Sequence, residues 1–337
     1  MASIRVLATD LEFPEGPVVM PDGSVKTIAG QGNGKNKYNG DNTDARKATL
    51  NRPLTLDVAD QSTAWHTQDT VYFADRDNFL IRKLVPNGDG TWALVTVAGV
   101  PPTPGADACG PLTYYPGATN GPVAQAKFRG PCGLVLSDDE RYLYVAERDN
   151  NVVRAVDLMM GIVGTYAGVV MVGQGKGAYQ DGPAATAKFN GPSQIDSDGS
   201  RNLYMADRFN HLIRKITPSA DPMKASTVQT YAGVPMQSGR RSGPALQAKY
   251  YEPWGLSVER SSGLVFVGDT GNSRVAVIGS FSEIWPAFAE RLNAARVAEY
   301  QALMEEYSNY YRGGSDRNTG GRNLGTDEGL PGPGGNL

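Results

Sequence analysis

Short runs of apolar residues recur along the chain at strand length, each bounded by Gly, Pro, Asn or Asp. The clearest is Leu203-Tyr204-Met205-Ala206, followed by the turn Asp207 to Asn210 and then Leu212-Ile213-Arg214-Lys215-Ile216. Apolar strands split by an Asp-x-x-Asn turn predict a hairpin. Aligned on itself, the chain repeats this unit four times. Pro53, Pro131, Pro192 and Pro253 open the units. Asp75, Glu147, Asp207 and Asp269 end the second strand, and Asn78, Asn150, Asn210 and Asn272 follow three residues later. Arg82, Arg154 and Arg214 come four residues after the Asn, and Ala276 breaks the pattern in the last unit. A closing strand ends in Ala98-Gly99, Ala167-Gly168 and Ala232-Gly233, and an extra copy, Lys26 to Gly30, lies near the front.

One four-stranded sheet cannot bury both faces, whereas sheets stacked radially about an axis can, so the period predicts an all-β protein, a β-propeller of four-stranded blades. The unit spacing of about 60 to 78 residues exceeds the 40 to 50 of common blades, and the surplus falls in loops such as Pro101 to Asn120. The segment FNGPSQIDSDGSRNLYMADRFNHLIRKI, with DGPAATAKF before it and VQTYAG after it, resembles the NHL repeat. The resemblance covers residues 26–280 and implies a propeller, commonly six-bladed in that family. Here Lys26 to Gly30 is expected to supply the missing outer strand of the final unit and join the ends of the ring. A degenerate fifth blade begun by residues 13–25, or an open ring completed by another subunit, are the alternatives.

Residues 1–25, with the FPEGP motif, are similar to the opening of the senescence-marker-protein and gluconolactonase family. That resemblance implies a divalent-metal-dependent lactone or ester hydrolase, with Glu15 as a ligand of one Ca or Zn ion. The residues after each opening Pro, expected at the channel mouth, are Glu15, Leu54, Cys132, Ser193 and Trp254. A hard cation wants about six oxygen ligands, and Leu54 and Trp254 offer hydrocarbon, so no cofactor is expected at this hub and the lactonase is the competing reading.

His66 and His211 fall in loops that leave opposite ends of a sheet, which argues against a shared zinc site. Cys132 reads as a buried thiol, with a bridge to Cys109 as the alternative. The repeating Asp, Asn and Arg read as structural: each Asp or Asn closes its own hairpin through local backbone bonds, and each Arg pairs with a carboxylate of its own or a neighbouring blade. Among catalytic motifs, GxxxxGK[ST], GxSxG, HExxH and CxxC are absent.

From 281 to 312 the composition turns to Ala, Glu, Leu and Tyr, which predicts an amphipathic helix. Its second stripe, Tyr300, Met304, Tyr307 and Tyr311, is the expected partner-binding surface. Residues 313–337 form a Gly-rich extended or disordered tail, and residues 1–280 form the propeller. The 337 residues carry a net charge of -3 with pI about 5.6, which gives no basic field for nucleic acid. No apolar run is long enough to span a membrane, and no signal-peptide pattern opens the chain, which favours a soluble intracellular protein. The expected function is a non-catalytic binding or scaffold module that assembles with a protein partner through the helix and tail.

Overall fold

In the computed structural model the described residues are 17–19, 25–30, 38–59, 70–102, 116–173 and 175–279. The chain divides into two units, Met1–Gly279 and Ser280–Leu337, and the second lies wholly outside the described residues. The expected helix over 281–312, its tyrosine stripe and the tail therefore fall there too.

The first unit is all-β. Two short strands, β1 (Pro17–Val19) and β2 (Val25–Thr27), pair with each other. The first large sheet holds β3 (Pro53–Ala59), β4 (Thr70–Asp75), β5 (Leu80–Pro86) and β6 (Trp92–Ala98). The second holds β7 (Gly121–Pro122), β8 (Pro131–Leu136), β9 (Tyr142–Glu147), β10 (Val152–Asp157) and β11 (Ile162–Ala167), with β7 outermost. The third repeats that order with β12 (Gly182–Pro183), β13 (Pro192–Ser197), β14 (Leu203–Asp207), β15 (Leu212–Pro218) and β16 (Ala225–Ala232). The fourth has β17 (Leu256–Glu259), β18 (Leu264–Asp269) and β19 (Arg274–Ile278).

These are the four blades of a β-propeller, with β3, β8, β13 and β17 innermost and each packed on the next. Two expectations need correction. Among the described residues the blades are not uniformly four-stranded, because short Gly-Pro strands add a fifth to two of them and the last has three. The segment at Lys26 to Gly30 does not complete the last blade, because Val25–Thr27 pairs with Pro17–Val19 instead. Gly30 N donates to Ala45 O at 3.0 Å, as Gly168 does to Ala184 and Gly233 to Ala245. That bond places the segment in front of the first blade.

Each gap between blades is filled by its own apolar cluster. Leu134, Leu143 and Val145 meet Tyr72 and Ala74 between the first and second, and Tyr144, Ile195 and Met205 fill the next. Tyr204, Val258 and Val265 fill the third gap. Full burial of one such side chain contributes roughly 1.5–3 kcal/mol.

The polar repeat is buried alongside. Asp207 accepts from Asn190 N at 2.7 Å, from Asn210 Nδ2 at 2.9 Å and from Arg214 Nη1 at 2.6 Å. Glu147 is held by Arg129 N, Asn150 and Arg154, and Asp75 by Asn51 N, Asn78 and Arg82. The backbone partner lies two residues before the opening Pro in each case. The carboxylate thus ties the entry of the inner strand to the second-strand turn, rather than closing its own hairpin through local backbone bonds. A β-bulge falls immediately before each of Arg82, Arg154 and Arg214, where the third strand meets the fourth. An extra residue re-aims a side chain, and all three arginines are fully buried. Phe128 and Phe189 lie under the guanidinium carbons of Arg154 and Arg214 at 5.3 and 5.2 Å.

The last blade departs at Ala276, yet its Asp269 is not left bare. Arg274, two residues earlier, donates Nε to Asp269 at 2.7 Å and Nη2 to Lys249 O at 2.9 Å. The corresponding carbonyls of Lys127 and Lys188 receive Arg154 and Arg214.

Removing one member of a buried ion pair leaves the other charge uncompensated, at a cost of about 3–5 kcal/mol. Arg214→Ala is expected to lose stability on that scale in urea unfolding. Arg274→Ala, whose side chain is 18% exposed, should lose less than half as much; equal losses would show that burial does not set the scale.

Candidate functional site

The opening prolines, the Asp-x-x-Asn turns and the loops after Ala-Gly share one end of the blades. Arg148 N donates to Gly130 O at 3.0 Å and Gly271 N to Tyr251 O at 2.8 Å. Met171 N donates to Asn150 O, and Met236 N to Asn210 O, both at 3.0 Å.

The described mouth residues come together at the hub of this end. Inner-strand pairing is interrupted by bulges at Leu54/Leu56, Pro131/Leu134 and Pro192/Ile195. At these bulges Ser193 Oγ donates to Trp254 O at 3.1 Å, and Gln194 N does so at 3.3 Å. Thr55 Oγ1 bonds Gln194 Oε1 at 2.8 Å, crossing from the first blade to the third. A Cβ on Gly133 would stand 2.2 Å from Ser193 O, so β8 and β13 approach as closely as a glycine permits. Cys132 and Ser193 are buried in this contact, whereas Leu54 and Trp254 are half-buried. Glu15 lies outside the described residues, as do His66 and Cys109.

Around the hub stand three arginines that the repeat analysis passed over. Arg76, Arg148 and Arg208 each follow the second-strand acid, in DRDN, ERDN and DRFN. The signal for them is legible in the chain as an Arg directly after each of these acids. Arg208 and Arg148 flank the Trp254 ring, with guanidinium carbons 4.8 and 5.4 Å from its centroid. Arg208 also holds Glu252 at 2.6 Å, and Arg76 holds Asp77 at 2.9 Å and lies 3.6 Å from Asp149. Burial pushes the Cys132 thiol up against the pull of Arg148 and Arg76, so it stays a thiol at neutral pH.

His211 occupies the left-handed position after Asn210, at φ 60, and its Nδ1 accepts Glu252 N at 3.1 Å. Burial holds its pKa below the usual value, and with Nδ1 engaged it serves as a link between the third and fourth blades. Asn151 makes the equivalent link to Gly191 N at 2.8 Å. Among the described residues no group of three or more His, Cys, Asp or Glu is placed to hold a metal ion.

Outside the hub the same end exposes several large apolar side chains among its polar ones. Val169, Val170 and Val172 follow one Ala-Gly pair and are 38, 40 and 54% exposed, and Met236, after another, is 71% exposed. Tyr251, at 43%, stands beside His211 with ring centroids 5.7 Å apart.

At the opposite end of the inner strands two carboxylates staple neighbouring blades. Asp57 accepts Leu136 N and Asp196 accepts Val258 N, both at 2.7 Å. Burial pushes Asp57 up to about 6, with Asp196 adding to the rise and the N–H groups of Leu136 and Val58 and the Arg260 charge opposing it.

The sequence signature described as the NHL repeat matches residues 250–278. NHL repeat-containing protein 2 of Gallus gallus is 32% identical over 159 residues, 46% of this chain and 21% of that protein. Its Homo sapiens counterpart is 28% identical over 198 residues, 56% of this chain and 27% of that protein. The chain thus spans about a quarter of the length of these relatives. Among solved structures, an auxiliary nutrient binding protein from Bacteroides thetaiotaomicron superposes with a TM-score of 0.43 and 19% identity, over 63% of this chain and 46% of that one. No helix among the described residues is long and apolar enough to cross a membrane.

The folded state holds the Asp57 proton more tightly than the unfolded chain, whose carboxyl titrates near 3.8. Its contribution is therefore fullest below about pH 4 and is lost as pH rises to about 6. Asp57→Asn should gain on wild type by about 2 kcal/mol over that interval, read as the difference between their urea unfolding free energies. A gap that stays constant with pH would overturn the assignment.

Proposed function

We propose, taking this chain as an NHL-repeat β-propeller, that it is a non-catalytic binding and scaffold module mediating protein–protein assembly. A propeller hosts many functions, so the fold by itself does not name one. The observation that carries the reading is the composition of one end: Arg208 and Trp254 at the centre, with Val169, Val170, Val172, Met236 and Tyr251 exposed around them. Trp, Tyr, Arg and Met are the residues enriched where proteins bind one another. Among the described residues, the buried thiol of Cys132 and the engaged imidazole of His211 give this end no activated nucleophile or free base.

The C-terminal helix and tail enter as a second contact. The stripe Tyr300, Met304, Tyr307 and Tyr311 lies outside the described residues, and its role rests on the sequence pattern alone. No metal or cofactor is part of this reading.

The test is a comparison of wild type with Val172→Glu, Met236→Glu and Tyr251→Glu in affinity capture with quantitative mass spectrometry. Surface changes of this kind cost within about 0.5 kcal/mol of stability, so melting temperatures should be unchanged. A partner retained by wild type is expected to weaken tenfold or more in at least Tyr251→Glu, the scale of an interface anchor. Capture that ignores all three substitutions would remove this face from the reading. Turnover of a lactone panel with added Ca or Zn would overturn the non-catalytic assignment.

A further inference from the structure

The fourth blade holds one half of a contact that the other three complete. In those, the outer strand carries a Thr followed two and three residues later by Ala-Gly, and the Thr meets a side chain from the segment preceding the inner strand. Asp41 accepts Thr96 N at 3.0 Å and Thr96 Oγ1 at 2.7 Å. Asp181 accepts Thr230 N at 3.0 Å and its Oγ1 at 2.9 Å, and Thr165 Oγ1 donates to Asn120 at 3.3 Å. The Gly then crosses the left-handed residue of its own blade. Gly99, Gly168 and Gly233 have φ +113, +100 and +103, and a Cβ there would stand 2.9, 3.2 and 2.8 Å from the carbonyl oxygens of Phe79, Asn151 and His211.

The fourth blade presents the acceptor side of the same arrangement. Ser273 is left-handed at φ 51, β19 follows it, and Arg274 fills the arginine pocket. Ser242, in Ser242-Gly243-Pro244, stands where Asp181-Gly182-Pro183 stands in the third blade, and its Oγ lies 3.5 Å from Arg274 Nη1. Among the described residues no strand lies along the outer side of β19. Val275 and Val277 are 76 and 37% exposed.

We propose that the outer edge of β19 is an acceptor site for an extended segment of another protein, with the pattern apolar-x-Thr-x-Ala-Gly. Unpaired backbone along an edge strand is a template for strand addition, in which main-chain hydrogen bonds give affinity and side-chain positions give specificity. The three outer strands show what the ligand must bring: a Thr that reaches the position of Ser242, a buried Ala, and a Gly able to pass over Ser273. This chain's own copies are engaged elsewhere. Thr96, Thr165 and Thr230 lie in complete blades, and Val25–Thr27 pairs with β1 while Gly30 is held by Ala45. A second copy has the same four strands engaged in the same way, so none of these copies of the pattern is free to donate.

The probe is a labelled, end-blocked peptide of residues 225–234, ASTVQTYAGV, titrated into the full chain and followed by fluorescence anisotropy and amide hydrogen exchange. Saturable binding is expected, with exchange slowed at 274–278. Replacing the peptide's Thr230 by Val should weaken binding about threefold to tenfold, the worth of one hydrogen bond. Its Gly233→Ala form should not bind. Ser242→Asp in the protein should tighten the Thr peptide severalfold and leave the Val peptide unchanged, a gain that does not depend on damaging the fold. Val172→Glu and Met236→Glu should leave peptide binding intact, so this site and the mouth face succeed or fail separately. Absence of saturation, or protection located elsewhere, would overturn the proposal. So would protection of 274–278 in the protein alone, which would place the chain's own segment there if independent of concentration and a second copy if it grows with concentration.

Discussion

The carboxylate at the end of each second strand holds the blade together, because it is in contact with three parts of it. Asp207 receives the backbone N–H of Asn190 at the inner-strand entry, the amide of Asn210 in the turn and the guanidinium of Arg214 from the third strand. Such a charge is costly to bury, and burial raises the Asp207 carboxyl against the pull of Arg214, Asn210 and Asn190. An ion pair in this position owes its value to geometry and to completed hydrogen bonding rather than to attraction alone. Arg214 completes its own shell with Asp181 at 2.6 Å and the carbonyls of Lys188 and Gln180. The pair therefore fixes the inner-strand entry and the outer strand in one register.

Fixed entries have a consequence at the hub. The bulged starts of β3, β8 and β13 converge until Thr55 bonds Gln194 and Gly133 lies against Ser193 O. What this end offers a partner is outside the hub, in exposed Val, Met and Tyr side chains around Arg208 and Trp254. A surface of that composition is the one on which the proposed binding role rests.

Much of the fold was legible because its marks are local. Pro53, Pro131, Pro192 and Pro253, the second-strand acids and the Ala-Gly pairs each require a particular backbone or partner within the repeat, and so recur at fixed offsets. Strand number was less legible, since β7 and β12 are two-residue Gly-Pro strands with no hydrophobic pattern to announce them. The place of Lys26 to Gly30 was misread because an outer strand has the same sequence whichever blade it joins; the pairing of Val25–Thr27 with Pro17–Val19 is a matter of tertiary contact. The hub residues were located by the opening prolines, but the closeness of β8 to β13 depends on the bulges, which alternation does not report. Arg76, Arg148 and Arg208 were in plain view beside the acids. The meeting of Arg148 and Arg208 at Trp254 joins three different blades, which no spacing within one repeat encodes.

The last blade shows that its departures form a set. In the complete blades the arginine lies between the second-strand acid and the side chain that holds the outer-strand Thr, covered on both sides and fully buried. At Ala276 an arginine would depend on an outer strand for its cover, and β19 has none among the described residues. Moving the guanidinium to Arg274 satisfies the buried Asp269 from the near side, with Nε, and tolerates 18% exposure. Ser242 stands in place of Asp41, Asn120 or Asp181, a neutral side chain where no Thr is met among the described residues. The blade keeps the left-handed Ser273, and among the described residues the outer side of β19 carries no strand, which is the arrangement an incoming strand requires.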